Sequence, residues 1–350
     1  MSINIAIDLL STKYGGGKYY ILNQLKEFSN YGNKYKIICI VSDTDLQNEI
    51  NDLGYKTIFL KSDNLIQSIL YRMIIFSYIL KKKNIDLVYY PNNFINPFSR
   101  YKSIVLFQNV KVFGQGLDSS NVKEGLKYYL LKLLSKYSIK KADRKVYVSN
   151  EIRRLAMDYN KSRVIYSGKT NWNVSKSSKK ENYALNVSTS DSSQKNIKVL
   201  IDGFKLFNRN NKDISLKIIG NIREESKDNI QYVGYVNNKE IQEYYSKALI
   251  CISPSIAESF GFTPMEAMIK GTPCILSDIS IFHEIYGNAA LYFNPYSPED
   301  LSDKINTLVK NKKLYNELVE KGFKQIEKYS WEKNVREFIE VFDEIYKKNS

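Results

Sequence analysis

Two glutamates, Glu258 and Glu266, stand with seven residues between them in the segment Ala257-Glu-Ser-Phe-Gly-Phe-Thr-Pro-Met-Glu-Ala-Met268. A loop that runs into a helix offers free backbone N–H groups and the positive end of a helix dipole, a combination that suits a diphosphate. A carboxylate nearby can accept hydrogen bonds from a sugar diol. Gly261 lets the backbone approach a ligand closely, and Glu258 falls in the loop, where core packing gives no account of a charge. Glu266 has a second account. With Thr263 as N-cap and Pro264 at the first helical position, Glu266 closes a capping box that needs no ligand. The spacing leaves both accounts open. Near the N-terminus, Gly15-Gly16-Gly17 suits either a tight connection or close contact with a phosphate.

These residues need elements to position them. Ile3–Leu10 is a short run rich in β-branched residues, and Tyr19–Phe28 carries apolar residues at helical spacing, so the glycine triplet joins a strand to a helix. The pattern continues with strands at 36–41, 56–60, 86–90, 103–107 and 145–148 and helices at 46–53, 65–80 and about 122–140, the helix at 65–80 being read as buried. A second series has strands at 183–187, 215–219, 230–233, 248–253, 274–277 and 290–293. Alternation of this kind predicts parallel sheets with helices on both faces. The expected class is α/β: two doubly wound, Rossmann-like domains facing across a cleft, with ligands at the carboxyl ends of the strands. The expected boundaries are residues 1–168 for the first domain, 169–182 for a polar linker and 183–330 for the second. Residues 331–350 are expected to form a closing amphipathic helix that packs back toward the first domain.

Bulk properties narrow the partners. The 350 residues exceed what one core usually serves. Lys and Arg outnumber Asp and Glu by 52 to 37, and the net charge of +15 favours anionic partners. The basic residues are scattered without a nucleic-acid motif, so a nucleic-acid-binding protein is the weaker alternative. Cys39, Cys251 and Cys274 are odd in number and lie in apolar runs, which fits free thiols in a reducing, cytoplasmic compartment. Asp8 interrupts the first apolar run, unlike a signal peptide, and the apolar window 65–80 carries Gln67 and Arg72 and is too short to span a bilayer.

The segment from Glu258 to Glu266 resembles the signature of the retaining family 4 glycosyltransferases, which have the GT-B fold. Gly271-Thr-Pro273 and the stretch Glu284–Pro295 followed by Asp300-Leu301 resemble that family's next blocks in order and spacing. The resemblance implies a metal-independent enzyme that moves a sugar from a nucleotide diphosphate sugar to a glycan or lipid-linked saccharide, in bacterial surface polysaccharide synthesis of the O-antigen or capsule type. No cofactor is implied. Glu266 would hold the ribose hydroxyls, and Glu258 those of the transferred sugar, helped by backbone N–H groups at Phe260 and Gly261. Ser259, Phe262 and Thr263 belong to the same donor-binding segment. Lys195, in Gln194-Lys195-Asn196, matches the cation that meets charge building on the departing phosphate. Gly15, Gly16 and Gly17 resemble the glycine loop that faces the donor phosphates. A sugar-nucleotide epimerase of the same fold is the nearer alternative.

The sequence departs from the family pattern in two places. A second phosphate-binding cation is missing, since Ser188, Thr189 and Ser190 stand where it belongs, and Arg223 is a candidate to compensate. Gln108 stands where many members have a histidine; an amide cannot shuttle protons, so a positioning hydrogen bond is expected of it. The sole histidine, His283, reads as structural. Asp43-Thr-Asp45 is the one Asp-x-Asp, away from the proposed sugar, so no metal is expected, and the glycine triplet lacks the spacing of a dinucleotide fingerprint. The helix at 124–140 pairs an apolar stripe of Leu126, Tyr129, Leu130, Leu133, Leu134 and Tyr137 with Lys127, Lys132, Lys136 and Lys140. That pattern suits either a packed helix with a solvated basic face or peripheral contact with anionic lipid at the inner face of the membrane.

Overall fold

A computed structural model describes residues 3–13, 15–62, 65–116, 122–174, 179–188, 193–222 and 225–346. The chain divides into two compact units: Met1–Gln115, Val122–Gly168 and Ser330–Ser350 form one, and Gly116–Asn121 with Lys169–Tyr329 the other.

The first unit is built on strands β1 (Ile3–Leu9), β2 (Tyr35–Val41), β3 (Lys56–Phe59), β4 (Leu87–Tyr90), β5 (Lys102–Phe107), β6 (Arg144–Tyr147) and β7 (Ser162–Val164). They pair in parallel in the order β3-β2-β1-β4-β5-β6-β7. Helices α1 (Gly15–Phe28), α2 (Thr44–Asp52), α3 (Leu65–Lys82), α4 (Val122–Lys141) and α5 (Asn150–Ala156) connect them. Central strands covered on both faces need apolar residues at nearly every position, which is why Ile5, Ile7, Leu9 and all of β4 are buried. The edge strand β7 was not anticipated. Its three half-buried residues carry no apolar pattern, and pairing with β6 alone makes it a strand.

The two charges that interrupt the apolar runs at either end of this unit's first half meet each other. Arg72 Nε lies 2.6 Å from Asp8 Oδ2 and both side chains are buried. Helix α3 is not a buried helix, however: Phe76 and Leu80 face the core, while Leu70, Ile74 and Tyr78, one turn apart, are exposed. Of the two readings of α4, the packed one does not hold. Its apolar stripe does not form the packing face, since Leu126, Tyr129, Leu130, Leu133 and Tyr137 are all exposed and Ser135 and Ser138 are buried instead.

The C-terminal helix, Trp331–Tyr346, packs within the first unit. The Trp331 ring meets Tyr20 edge-on at 5.1 Å, and Phe342 stacks on Phe28 at 5.7 Å. Buried Asn334 donates to Tyr20 Oη at 2.9 Å and to the Tyr166 carbonyl at 2.8 Å, and accepts from Gln24 at 3.1 Å, so the polar group inside this contact is satisfied.

The second unit contains β8 (Glu181–Val187), β9 (Ser215–Ile219), β10 (Ile230–Gly234), β11 (Ala248–Ser253), β12 (Cys274–Ser277) and β13 (Ala290–Phe293), in the order β10-β9-β8-β11-β12-β13. Its pairings are parallel too. Helices α6 (Ile197–Asn208), α7 (Asn238–Lys247), α8 (Phe262–Ile269), α9 (Ser280–Tyr286), α10 (Pro298–Lys310) and α11 (Lys312–Ile326) cover it. One core joins Leu200, Phe204, Leu216, Ile250, Ile275 and Leu301 across sheet and helices. Residues 169–174, read from the sequence as linker, pack into this unit. Thr170 is buried, Trp172 lies 5.8 Å from Tyr245, and Lys270 donates to the Asn173 carbonyl at 3.1 Å.

Candidate functional site

In the second sheet β8 and β11 are neighbours, with the chain winding outward in opposite directions from them. Loops that follow such a pair of strands diverge and leave a crevice at the carboxyl edge of the sheet. Lys195 follows β8 and Glu258 follows β11. Lys195 Nζ lies 2.6 Å from Glu258 Oε1, with both side chains mostly shielded. Several bonds hold the two loops together. Gln194 donates its amide to the Ala257 carbonyl at 2.6 Å, and the Ile256 N–H donates to the Gln194 carbonyl at 3.0 Å. Asn196, in a left-handed conformation, donates to the carbonyls of Pro254 and Pro295.

The structure corrects the capping-box expectation. Helix α8 begins at Phe262, its N-cap is Gly261 at φ 83°, and no side chain caps it. Thr263 and Pro264 are therefore inside the first turn. A side chain at 261 would be strained by the positive φ and would bring a Cβ within 2.8 Å of Phe282 Cε1. The loop is also pinned from outside: Tyr286 donates its hydroxyl to the Gly261 carbonyl, and buried Phe260 packs on Phe262 at 5.1 Å and on Tyr329 at 5.6 Å. Ser259 and Phe262 are half-buried beside it.

Glu266, freed from a capping role, accepts from Tyr245 Oη at 2.9 Å and from Thr170 Oγ1 at 3.4 Å. Burial pushes its pKa up to about 7, and the two hydroxyl donors pull the other way. Thr170 and Tyr245 were invisible as partners in the sequence, because one sits in an apparent linker and the other on α7.

Within the first unit, Gly15, Gly16 and Gly17 open helix α1, with Gly15 at φ 74°. Gln108 is their neighbour: a Cβ at Gly17 would stand 3.5 Å from Gln108 Nε2. Gln108 donates through Nε2 to the Pro91 carbonyl at 2.7 Å, and the backbone N–H groups of Gln108 and Asn109 both reach Asn93 Oδ1. The remaining sequence candidates have local roles or lie elsewhere. Asp43 caps α2 by accepting from the Leu46 N–H at 2.9 Å. His283 sits 2.7 Å from Asp278 and stacks on Tyr292. Ser188 is buried, while Thr189, Ser190 and Arg223 lie outside the described residues.

Residues 169–325 match the family model of the glycosyl transferases group 1. The second unit is a group 1 glycosyl transferase domain. Over 178 residues, 47% of the chain, the sequence is 36% identical to an O-antigen chain mannosyltransferase, RfbU, of Salmonella typhimurium; the chain spans about half of that relative's length (50%). The fold is shared more widely. Sucrose-phosphate synthase from Thermosynechococcus elongatus superposes with a TM-score of 0.78 over 98% of this chain and 99% of its own, at 15% identity. Anabaena HepE, crystallised with UDP-glucose, superposes with a TM-score of 0.74 over 98% of this chain and 100% of its own, at 12% identity. These matches make the architecture that of GT-B glycosyltransferases.

In chemical terms the glycosyl transferase domain presents, at one sheet edge, a lysine, a helix start without a side-chain cap, and two carboxylates in different settings. The first two can stabilise an anionic leaving group. The carboxylates can each accept from hydroxyls.

Proposed function

We propose that the chain is a retaining glycosyltransferase that moves a sugar from a nucleoside diphosphate sugar to a saccharide acceptor in the synthesis of a bacterial surface polysaccharide. The observation that carries this reading is the Lys195–Glu258 pair beside the uncapped start of α8, at the switch point of the second sheet. Lys195 and the α8 N–H groups meet the diphosphate, Glu258 the transferred sugar and Glu266 the ribose. The diphosphate is neutralised by these groups without a metal ion. Attack from the face that the leaving group vacates, assisted by that leaving group, accounts for retention, in keeping with the family 4 signature. Gln108 orients substrate through its amide. The mannosyltransferase relative supports the polysaccharide role.

The enzyme is further proposed to act at the cytoplasmic face of a membrane. Leu126, Tyr129, Leu130, Leu133 and Tyr137 are exposed on α4 together with Lys127, Lys132, Lys136 and Lys140. An exposed face that is both apolar and basic suits anionic lipid. Among the described residues no helix is long and apolar enough to cross a membrane. Cys39, Cys251 and Cys274 are free and buried, in keeping with a reducing compartment.

Calorimetry with GDP, UDP and the matching monophosphates tests the donor half of this proposal. One nucleoside diphosphate is expected to bind better than its monophosphate, with the difference lost in Lys195→Ala. Equal binding of both by the wild type would contradict it.

A further inference from the structure

Part of the chain's positive surplus gathers at the amino edge of the first sheet. Six cations, Lys102, Lys140, Lys141, Arg144, Lys145 and Lys161, line a cavity of about 600 Å³ there, against two carboxylates, Asp143 and Asp158. Lys102 opens β5, Arg144 opens β6 and Lys161 directly precedes β7, which is what brings them to one edge. Gln108 follows β5 at its other end. The length of that strand, roughly 20 Å, puts the cavity and Gln108 at opposite edges of one sheet.

The acids nearby are already engaged. Buried Asp158 accepts from Lys145 Nζ at 2.7 Å and from Tyr147 Oη at 2.8 Å. Asp143 accepts from the Ser103 N–H at 3.0 Å and from its hydroxyl at 3.2 Å, with Lys102 3.6 Å away. Glu344, on the C-terminal helix, is shared by Arg144 and Arg163. Arg144 is thereby fixed: Nε donates to Glu344 at 3.2 Å and Nη1 to the Asp143 carbonyl at 2.9 Å, while Nη2 has no partner among the described residues. Lys140, Lys141 and Lys161 are exposed and make no ion pair or hydrogen bond among the described residues. Lys140 and Lys141 also offset the carbonyl end of α4, but that end carries only about half a negative charge, so a surplus remains. Lys161 holds φ 50°, a left-handed conformation uncommon for lysine. Three unpaired ammonium groups and a fixed guanidinium edge around one concave wall focus a positive field and call for an anion with several charges.

We propose that this cavity binds a multiply charged phosphate group, held by Lys141, Lys161 and the free edge of Arg144. None of these residues is assigned to the transfer reaction. The planar fork of an arginine beside lysine point charges suits phosphate oxygens. The recognised chemistry is common to a soluble polyphosphate and to a lipid phosphomonoester.

Inorganic tripolyphosphate, titrated calorimetrically into the full chain, probes the cavity without a nucleoside. One binding event is expected to survive Lys195→Ala and to weaken about tenfold or more in Lys141→Glu with Lys161→Glu, through loss of two charge-assisted contacts. Lys141→Gln with Lys161→Gln should give a smaller loss in the same direction, and it carries the test if the charge reversal unfolds the chain. Lys313→Glu with Lys324→Glu, at exposed positions of α11, makes the same change in net charge and should leave the event within about twofold, because net charge alone builds no site. Phosphatidylcholine vesicles containing phosphatidic acid or phosphatidylglycerol separate the sources. Preferential capture by phosphatidic acid that requires Lys141 and Lys161 supports a lipid phosphomonoester, and tripolyphosphate binding without such capture supports a soluble ligand. Equal losses in the cavity and α11 reversals, or no event that survives Lys195→Ala, would overturn the proposal.

Discussion

Lys195 and Glu258 are 63 residues apart in sequence and 2.6 Å apart in space, one following β8 and the other β11 in the same sheet. As an isolated ion pair, mostly shielded but not dry, this contact contributes little to stability. Its value lies in holding a cation and a hydroxyl acceptor side by side. Lys195→Ala and Glu258→Ala are each expected to lower kcat/KM by about 10²- to 10³-fold, the range for loss of one transition-state contact. The double variant should lose less than the product of the two, because partners in one constellation are not additive. Melting temperatures of all three should stay within a few degrees of the wild type, which differential scanning fluorimetry will check.

Glu266 gives the protein a pH signature. Its pKa rises from 4.5 to about 7 on folding, so between those values the folded state holds a proton that the unfolded state has released. Stability contributed by this group is therefore present at low pH and lost as pH rises through about 7. Some of the side chain still meets solvent, so about 3 kcal/mol is an upper limit for the effect. Nucleotide affinity should move the other way, because the carboxylate accepts from ribose hydroxyls better than the acid does. Thermal melts and nucleotide titrations at pH 5.5 and 8.5 are expected to show these opposite trends, and Glu266→Gln should flatten both.

Two glycines separate backbone strain from ligand access. Gly261→Ala must adopt φ 83° and push against Phe282, so it is expected to cost about 1–3 kcal/mol and to disturb the start of α8. A Cβ at Gly16 meets nothing within 4 Å. Gly16→Ala should leave the melting temperature near that of the wild type while lowering transfer activity, if substrate approaches this turn. Comparing melts with rates for the two variants checks both statements.

Much of this was legible in the residues. Both strand series were readable because strands covered on both faces must be short and almost wholly apolar, as β4 and β11 are. Glu258 stood out because a loop charge has no packing account. Glu266 was harder: the order Thr263-Pro264-Glu266 fits a capping box, and only the left-handed Gly261, which starts the helix two residues earlier than that box allows, removes this explanation. The partners Thr170 and Tyr245 could not be read, since side-chain contacts across 96 and 21 residues leave no local pattern. The apolar stripe of α4 left two readings open for a related reason. Periodicity reports that a helix has two faces and not which one meets the core.

The exposed stripe has its own consequence. Sedimentation with phosphatidylglycerol vesicles is expected to carry the wild type down more than phosphatidylcholine vesicles do. Leu130→Glu and Leu133→Glu together should reverse this, and the binding should fall with salt as charge screening grows. Equal sedimentation of wild type and double variant would remove α4 from the lipid contact.

The central claim is transfer from a nucleoside diphosphate sugar through Lys195 and Glu258. It is tested most directly by nucleoside diphosphate release from GDP-mannose and a panel of UDP-sugars, with and without a bacterial membrane lipid extract, for the wild type, Lys195→Ala and Glu258→Ala. Release that depends on the extract, survives a metal chelator and falls about 10²-fold or more in both folded variants is the expected result. Undiminished release by the variants, or turnover of the sugar nucleotide that needs no acceptor, would contradict it.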